Sequence, residues 1–100
     1  MTVYEHRATV TAVAGTVVSS SLSIPGGLVR QILVRANTDT TVFRTTLLDG
    51  NGLARRHYGY HTGEMNDMGI QLAIAGTLAI SITNVSPNDT FSILVAVQER

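Results

Sequence analysis

The chain has 100 residues, of which 44% are hydrophobic and 14% are charged, and its formal net charge is zero. We therefore expect one domain over residues 1–100 with a single core. The balanced charge argues against a nucleic-acid binder, the lack of cysteine excludes disulfides and thiolate metal sites, and no apolar run approaches the ~18 residues of a membrane span.

Apolar and polar residues alternate with a period of two, which predicts β-strands that each bury one face. Turn-forming residues divide the first half of the chain at Ala14-Gly15-Thr16, Pro25-Gly26-Gly27 and Asn37-Thr38-Asp39. The four strands that these turns separate are expected at residues 2–13, 16–24, 28–36 and 40–48.

The segment Asp49-Gly50-Asn51-Gly52 is the strongest hairpin signal, because Gly and Asn readily adopt positive φ. It is expected to join the fourth strand to a fifth near residues 53–60. The following segment, His61 to Gly69, is polar, and we expect an irregular loop that has room for a single helical turn.

The last third of the chain alternates most regularly. Gly76 predicts a tight turn between a sixth strand, with Ile70, Leu72 and Ile74 on one face, and a seventh that begins near Leu78. A turn at residues 86–89 precedes an eighth strand, residues 91–98. Seven or eight short strands with frequent turns predict an all-β fold, a single-domain antiparallel β-sandwich or jelly roll.

One stretch concentrates basic and aromatic residues, the types that are enriched at binding hot spots. Its members are Arg55, Arg56, His57, Tyr58 and Tyr60. They indicate a contact patch for a neighbouring subunit or partner, or else an ordinary solvated strand with half-buried Tyr rings. All basic residues of the chain are Arg, whose weakly hydrated guanidinium tolerates interfaces.

Possible metal ligands also occur near this stretch, at His57, His61, Glu64 and Asp67. On a strand, the two His residues would lie ~13 Å apart, so one ion could bind both only if the chain bends. Asp49 and Asn51 carry oxygens of the kind that Ca²⁺ binds, but a turn explains them better. We therefore predict no metal and no cofactor.

No nucleophile, paired carboxylate or phosphate-binding loop stands out, so an enzyme is not expected. A neutral domain with few charged residues has a surface that is easily desolvated, which suits assembly with other macromolecules. The same composition also describes a Thr-rich β domain without such a role.

Three stretches resemble the small β-sandwich structural proteins of tailed bacteriophages. They are Ile24 to Arg35 (IPGGLVRQILVR), Asp49 to Leu53 (DGNGL) and Gly76 to Gln98 (GTLAISITNVSPNDTFSILVAVQ). The resemblance implies a capsid decoration (cement) protein that is made in the host cytoplasm and located on the virion. It also implies a homo-oligomer, with a trimer favoured, that binds the major capsid protein or another virion protein. The charge balance and the lack of a long apolar run predict no nucleic acid and no membrane as partner.

Two alternatives remain from the same reasoning. One is a neck, tail or baseplate component of the phage particle, to which the resemblance applies equally. The other is a carbohydrate-binding or adhesin-like β-sandwich module, although a chain with three Tyr and no Trp has few rings for sugar stacking.

Overall fold

The computed structural model describes residues 3–11, 17–83 and 89–99. Within these ranges the chain forms eight strands and no helix, and all strand pairs are antiparallel, which confirms the all-β prediction. The strands are β1 (Val3–Thr11), β2 (Val17–Ala36), β3 (Val42–Leu48), β4 (Ala54–His57), β5 (His61–Thr62), β6 (Glu64–Asp67), β7 (Leu72–Thr83) and β8 (Thr90–Glu99). Among these residues, none lies in a helix long and apolar enough to cross a membrane.

The strands form two packed layers, which confirms the β-sandwich. Sheet I consists of the first half of β2, then β7, β3 and β4, and β5 pairs with the start of β3. Sheet II consists of β1, β8, the second half of β2 and β6. The long strand β2 therefore belongs to both sheets, and at residues 27–29 it pairs with β7 on one side and β8 on the other.

The turn predicted at Pro25-Gly26-Gly27 is wrong, because β2 runs through it as one strand of 20 residues. Ile24 pairs with Gly76 and Gly27 with Ile74, so Pro25 and Gly26 lie opposite one residue of β7 in a bulge. Proline has no N–H to give to a ladder, and a bulge is one of the few places in a sheet that tolerates it. Pro25 and Gly26 do interrupt the regular strand, but they mark the point where β2 passes from sheet I to sheet II.

Two other predictions near turns are also wrong. β7 continues through Gly76, whose φ of 93° fits the bend opposite the β2 bulge, so no tight turn occurs there. The segment 61–69 has no helical turn, because β5 pairs with β3 and β6 pairs with β2. The predicted turn at residues 14–16 lies outside the described residues, as does most of the turn at 86–89.

The core lies between the two sheets and follows the predicted alternation. On β7 the buried residues are Ile74, Leu78, Ile80 and Ile82. On β8 they are Phe91, Ile93, Val95 and Val97, together with Ala96, which departs from the alternation. Phe43 of sheet I meets Phe91 of sheet II edge to face, with ring centroids 5.3 Å apart. Edge-to-face rings contribute about 0.5–1.5 kcal/mol beyond their buried area, so this pair helps to hold the layers together.

Candidate functional site

The predicted contact patch is displayed by the β3–β4 hairpin, which the Asp49-Gly50-Asn51-Gly52 turn closes as expected. The Asp49 carboxylate oxygen Oδ1 accepts hydrogen bonds from the backbone N–H groups of Asn51 (2.9 Å) and Leu53 (3.0 Å). Its Oδ2 lies 3.7 Å from a guanidinium nitrogen of Arg55. The carboxylate is therefore occupied by the turn itself, which favours the turn over a Ca²⁺ site.

We call Arg55, Arg56, His57, Tyr58 and Tyr60 the β4 patch. Strand β4 pairs with β3 on one side, and no described strand pairs with its other side. All four residues of β4 are exposed. The register shifts between Leu47 and Leu48 of β3, so Arg55 is a bulged residue with no partner of its own in the ladder. Bulges on edge strands redirect side chains, and this one frees the Arg55 backbone from the ladder.

Two members of the patch serve the fold. The Tyr58 hydroxyl donates a hydrogen bond to Asp67 Oδ2 (2.8 Å), and the Arg56 guanidinium lies 3.7 Å from the same oxygen. Because Tyr58 follows β4 in sheet I and Asp67 ends β6 in sheet II, this bond ties the layers together at the open side of the sandwich. Burial raises the pKa of the Tyr58 hydroxyl well above its ordinary value of 10.0, and the Asp67 carboxylate raises it further.

The other three members are Arg55, His57 and Tyr60, which are all exposed. The His57 Nδ1 lies 3.3 Å from the hydroxyl oxygen of Thr46, its cross-strand neighbour on β3. The Tyr60 side chain is 61% exposed, and the Arg44 guanidinium carbon lies 5.1 Å from its ring centroid. A cation at that distance from a ring face is attracted by the ring's negative face, so Arg44 orients Tyr60. Arg55, His57 and Tyr60 thus form a positioned, accessible set of contact groups.

The four possible metal ligands have separate partners. His57 bonds Thr46, His61 Nδ1 lies 2.9 Å from the Gly59 carbonyl oxygen, and Asp67 accepts from Tyr58. Glu64 accepts two hydrogen bonds from the Arg35 guanidinium, at 2.6 and 2.9 Å. Within residues 3–11, 17–83 and 89–99, no three His, Cys, Asp or Glu side chains are grouped so that they could hold an ion.

Comparison with known proteins gives the fold and no family. No protein-family model matches the chain, and no curated protein matches it. Solved structures that share its architecture include the following three. FlhE matches with a TM-score of 0.55 and 12% identity over 97% of this chain and 98% of FlhE. PliG of Aeromonas hydrophila, a periplasmic inhibitor of g-type lysozyme, matches with a TM-score of 0.50 and 12% identity, over 96% of this chain and 86% of PliG.

The third structure is a GH26-CBM35 β-(1,4)-mannanase of Podospora anserina, with a TM-score of 0.50 and 13% identity. The match covers 98% of this chain but 28% of the mannanase, so it concerns one part of that protein. At such identities the likeness concerns the fold alone. The three names include no phage capsid protein, so the resemblance to phage structural proteins stays a prediction.

Sequence reasoning missed two clefts that share Arg35. One, of about 340 Å³, lies on the outer face of sheet II and is lined by Arg7, Ala8, Thr9, Leu33, Arg35, Ser92, Ile93 and Leu94. The other, of about 440 Å³, lies beside the β2–β3 connection and is lined by Arg35, Asp39, Thr62, Gly63 and Glu64. Both depend on pairings between distant segments, so no local pattern in the sequence indicates them.

Proposed function

We propose that this chain is a non-enzymatic structural protein of a virion, of the capsid decoration type, that binds the shell through the β4 patch. The observation that supports the patch is the exposure of Arg55 and His57 on the edge strand β4 and of Tyr60 three residues after it. Tyr and Arg dominate binding energy at protein interfaces, because they bring large contact areas and strong hydrogen bonds. A neck, tail or baseplate component would use the same surface.

The patch is also held in place before it meets a partner. The Asp49 turn fixes one end of β4, and the Tyr58–Asp67 bond fixes the other end to sheet II. An exposed apolar or aromatic side chain lies beyond each end of β4: Leu53 (65% exposed) precedes the strand and Tyr60 follows it. A surface that is already ordered loses little conformational entropy on binding, so more of its contact energy appears as affinity.

The test is co-sedimentation of the purified chain with capsid shells of the phage whose genome encodes it. We expect Tyr60→Ala to weaken binding by about tenfold to thirtyfold, as for a residue worth about 1.4–2 kcal/mol at an interface. Arg30→Ala is the control, because Arg30 is also exposed but lies on β2, outside both the β4 patch and β1.

The outcomes separate the parts of the proposal. If the wild-type chain binds tail or baseplate particles and not shells, the decoration role is wrong and the neck, tail or baseplate alternative stands. If Tyr60→Ala and Arg30→Ala weaken shell binding equally, the β4 patch is not the contact surface. If no particle binds the chain, the virion role itself is refuted.

A carbohydrate-binding module is the second candidate, favoured by the exposed Tyr60 ring, which could stack on a sugar. The name of the mannanase includes CBM35, but its likeness to this chain concerns the fold alone. Titration with manno-oligosaccharides, followed by Tyr fluorescence, tests it. Saturable binding that Tyr60→Ala abolishes would favour the module, and a flat titration would remove mannans as ligands.

A further inference from the structure

The edge strand β1 offers a second interaction surface. It pairs with β8 from Val3 to Thr11 in one unbroken register, and no described strand pairs with its other side. The strand contains neither Pro nor Gly, and its ladder has none of the bulges that usually protect an edge from further pairing. An edge of this kind presents a row of backbone N–H and C=O groups to any strand that can align with it.

The charges on β1 indicate which strand that is. Glu5 and Arg7 lie on the same outward face of sheet II, with their side chains 3.1 Å apart, and His6 between them faces the opposite way. An antiparallel pair of identical strands that is centred on residue k places residue i opposite residue 2k − i. Centred on His6, such a pair places Glu5 of each copy opposite Arg7 of the other.

We infer that two copies of the chain pair through their β1 strands, antiparallel and centred on His6, so that sheet II continues across both molecules. Opposite charges directly across a ladder contribute about 0.2–1 kcal/mol per pair, and two-fold symmetry supplies the Glu5–Arg7 pair twice. The inference deepens the proposed assembly role and rests on it only for the expectation that the chain self-associates. It gives a two-fold pair in place of the trimer that the phage resemblance favours.

Other registers are less favourable. Centring on Glu5 places two Glu5 side chains opposite each other, and centring on Arg7 does the same with Arg7, so both oppose like charges. Centring on Ala8 places Arg7 opposite Thr9 and forms no ion pair. A slip by an odd number of residues would set the core-facing side chains of one copy opposite the solvent-facing side chains of the other.

Charge reversal tests the pairing without disturbing the core, because Glu5 and Arg7 are both exposed. Glu5→Arg and Arg7→Glu each turn two attractions into two repulsions, so we expect either variant to raise the dimer dissociation constant about tenfold or more. The double variant Glu5→Arg/Arg7→Glu restores opposite charges across the pair and should recover the wild-type constant. Arg30→Glu, an exposed reversal on β2, is the control and should leave the constant unchanged.

The measurement is the molar mass by sedimentation equilibrium over a range of concentrations. Loss in both single variants with recovery in the double variant supports the inference. A wild-type chain that stays monomeric, or single variants that associate as the wild type does, overturns it.

A cross-linking experiment tests the register separately, because the natural chain has no cysteine. In the His6-centred pair the two His6 Cα atoms are direct neighbours, ~4.5–5.5 Å apart, which a disulfide can span. The two Arg7 Cα atoms are diagonal neighbours at ~7–8 Å, which is too far. Under mild oxidation His6→Cys should form a covalent dimer and Arg7→Cys should not; the reverse result would place the axis on Arg7.

Failure of this inference and failure of the proposed function look different. A monomeric chain that still binds shells through Tyr60 keeps the decoration role and refutes the β1 pair. A chain that dimerises through β1 but binds no virion particle does the opposite.

Discussion

Replacement of Thr45 by Val should stabilise the protein, although it removes a polar group. Thr45 is 1% exposed and points into the core from β3, between Phe43 and Leu47. Its hydroxyl oxygen is buried and has no hydrogen-bond partner among the described residues. A hydroxyl that leaves water without gaining a partner costs about 1–3 kcal/mol, and Val fills the same space without that cost.

The expected change in the free energy of unfolding for Thr45→Val is set mainly by the loss of the unpaired hydroxyl. Val keeps the β-branched shape that suits a strand, so packing and strand propensity change little. We expect the free energy of unfolding to rise by about 1 kcal/mol. For a chain of this length that increase corresponds to a Tm higher by about 4–8 °C, which thermal unfolding followed by circular dichroism resolves easily.

Two control variants separate the hydroxyl from other causes. Thr46→Val changes the next residue of β3, whose hydroxyl faces the other way and contacts His57 Nδ1 at 3.3 Å, so we expect no gain. Thr45→Ser keeps the buried hydroxyl and deletes a methyl group, so it should destabilise by about 1 kcal/mol. If Thr45→Val leaves Tm unchanged or lowers it, the hydroxyl is hydrogen-bonded in solution and the reasoning is wrong.

Two further predictions concern the sheet crossing and the bond between the sheets. A Cβ on Gly27 would lie 2.5 Å from the Gln98 carbonyl oxygen, so Gly27→Ala should lower the free energy of unfolding by about 1–3 kcal/mol. Urea denaturation measures this change. Gly59→Ala is the control and should not lower the free energy of unfolding, because the space around Gly59 is open. Because the folded state keeps the Tyr58 proton above pH 10.0 while the unfolded state loses it, stability should fall as pH rises above 10.0. Tyr58→Phe should make that fall shallower and Tyr60→Phe should not; equal slopes for both variants would show that Tyr58 does not cause the fall.

The features that sequence reasoning predicted correctly are those set by neighbouring residues. The alternation in β7 and β8 identified their buried faces, because a strand turns every second side chain to the same side. The Asp49 turn was identified for a similar reason, since its hydrogen bonds join residues no more than four positions apart. Information of this kind is present in any short window of the sequence.

The features that sequence reasoning missed depend on distant partners. Pro25-Gly26 forms a bulge instead of a turn because β7 pairs with β2 on both sides of it, which no local rule reveals. Strand β6 exists because it pairs with β2, some thirty residues earlier in the chain. Tyr58 was assigned to a contact patch, but its partner Asp67 lies in the other sheet, so its structural role could not be read locally.

The crossing of β2 also determines how the two proposed surfaces relate. Because β2 serves both sheets, β4 and β6 are the edges on one side of the sandwich, and β1 and the first half of β2 are the edges on the other. A pair of copies joined through β1 therefore leaves the β4 patch of each copy exposed. Such a pair is bivalent, and a partner that repeats across a surface, as the subunits of a capsid do, holds a bivalent ligand more tightly than a single patch allows. A modest affinity at each β4 patch is then sufficient for stable attachment, which is consistent with a patch formed by a few exposed side chains.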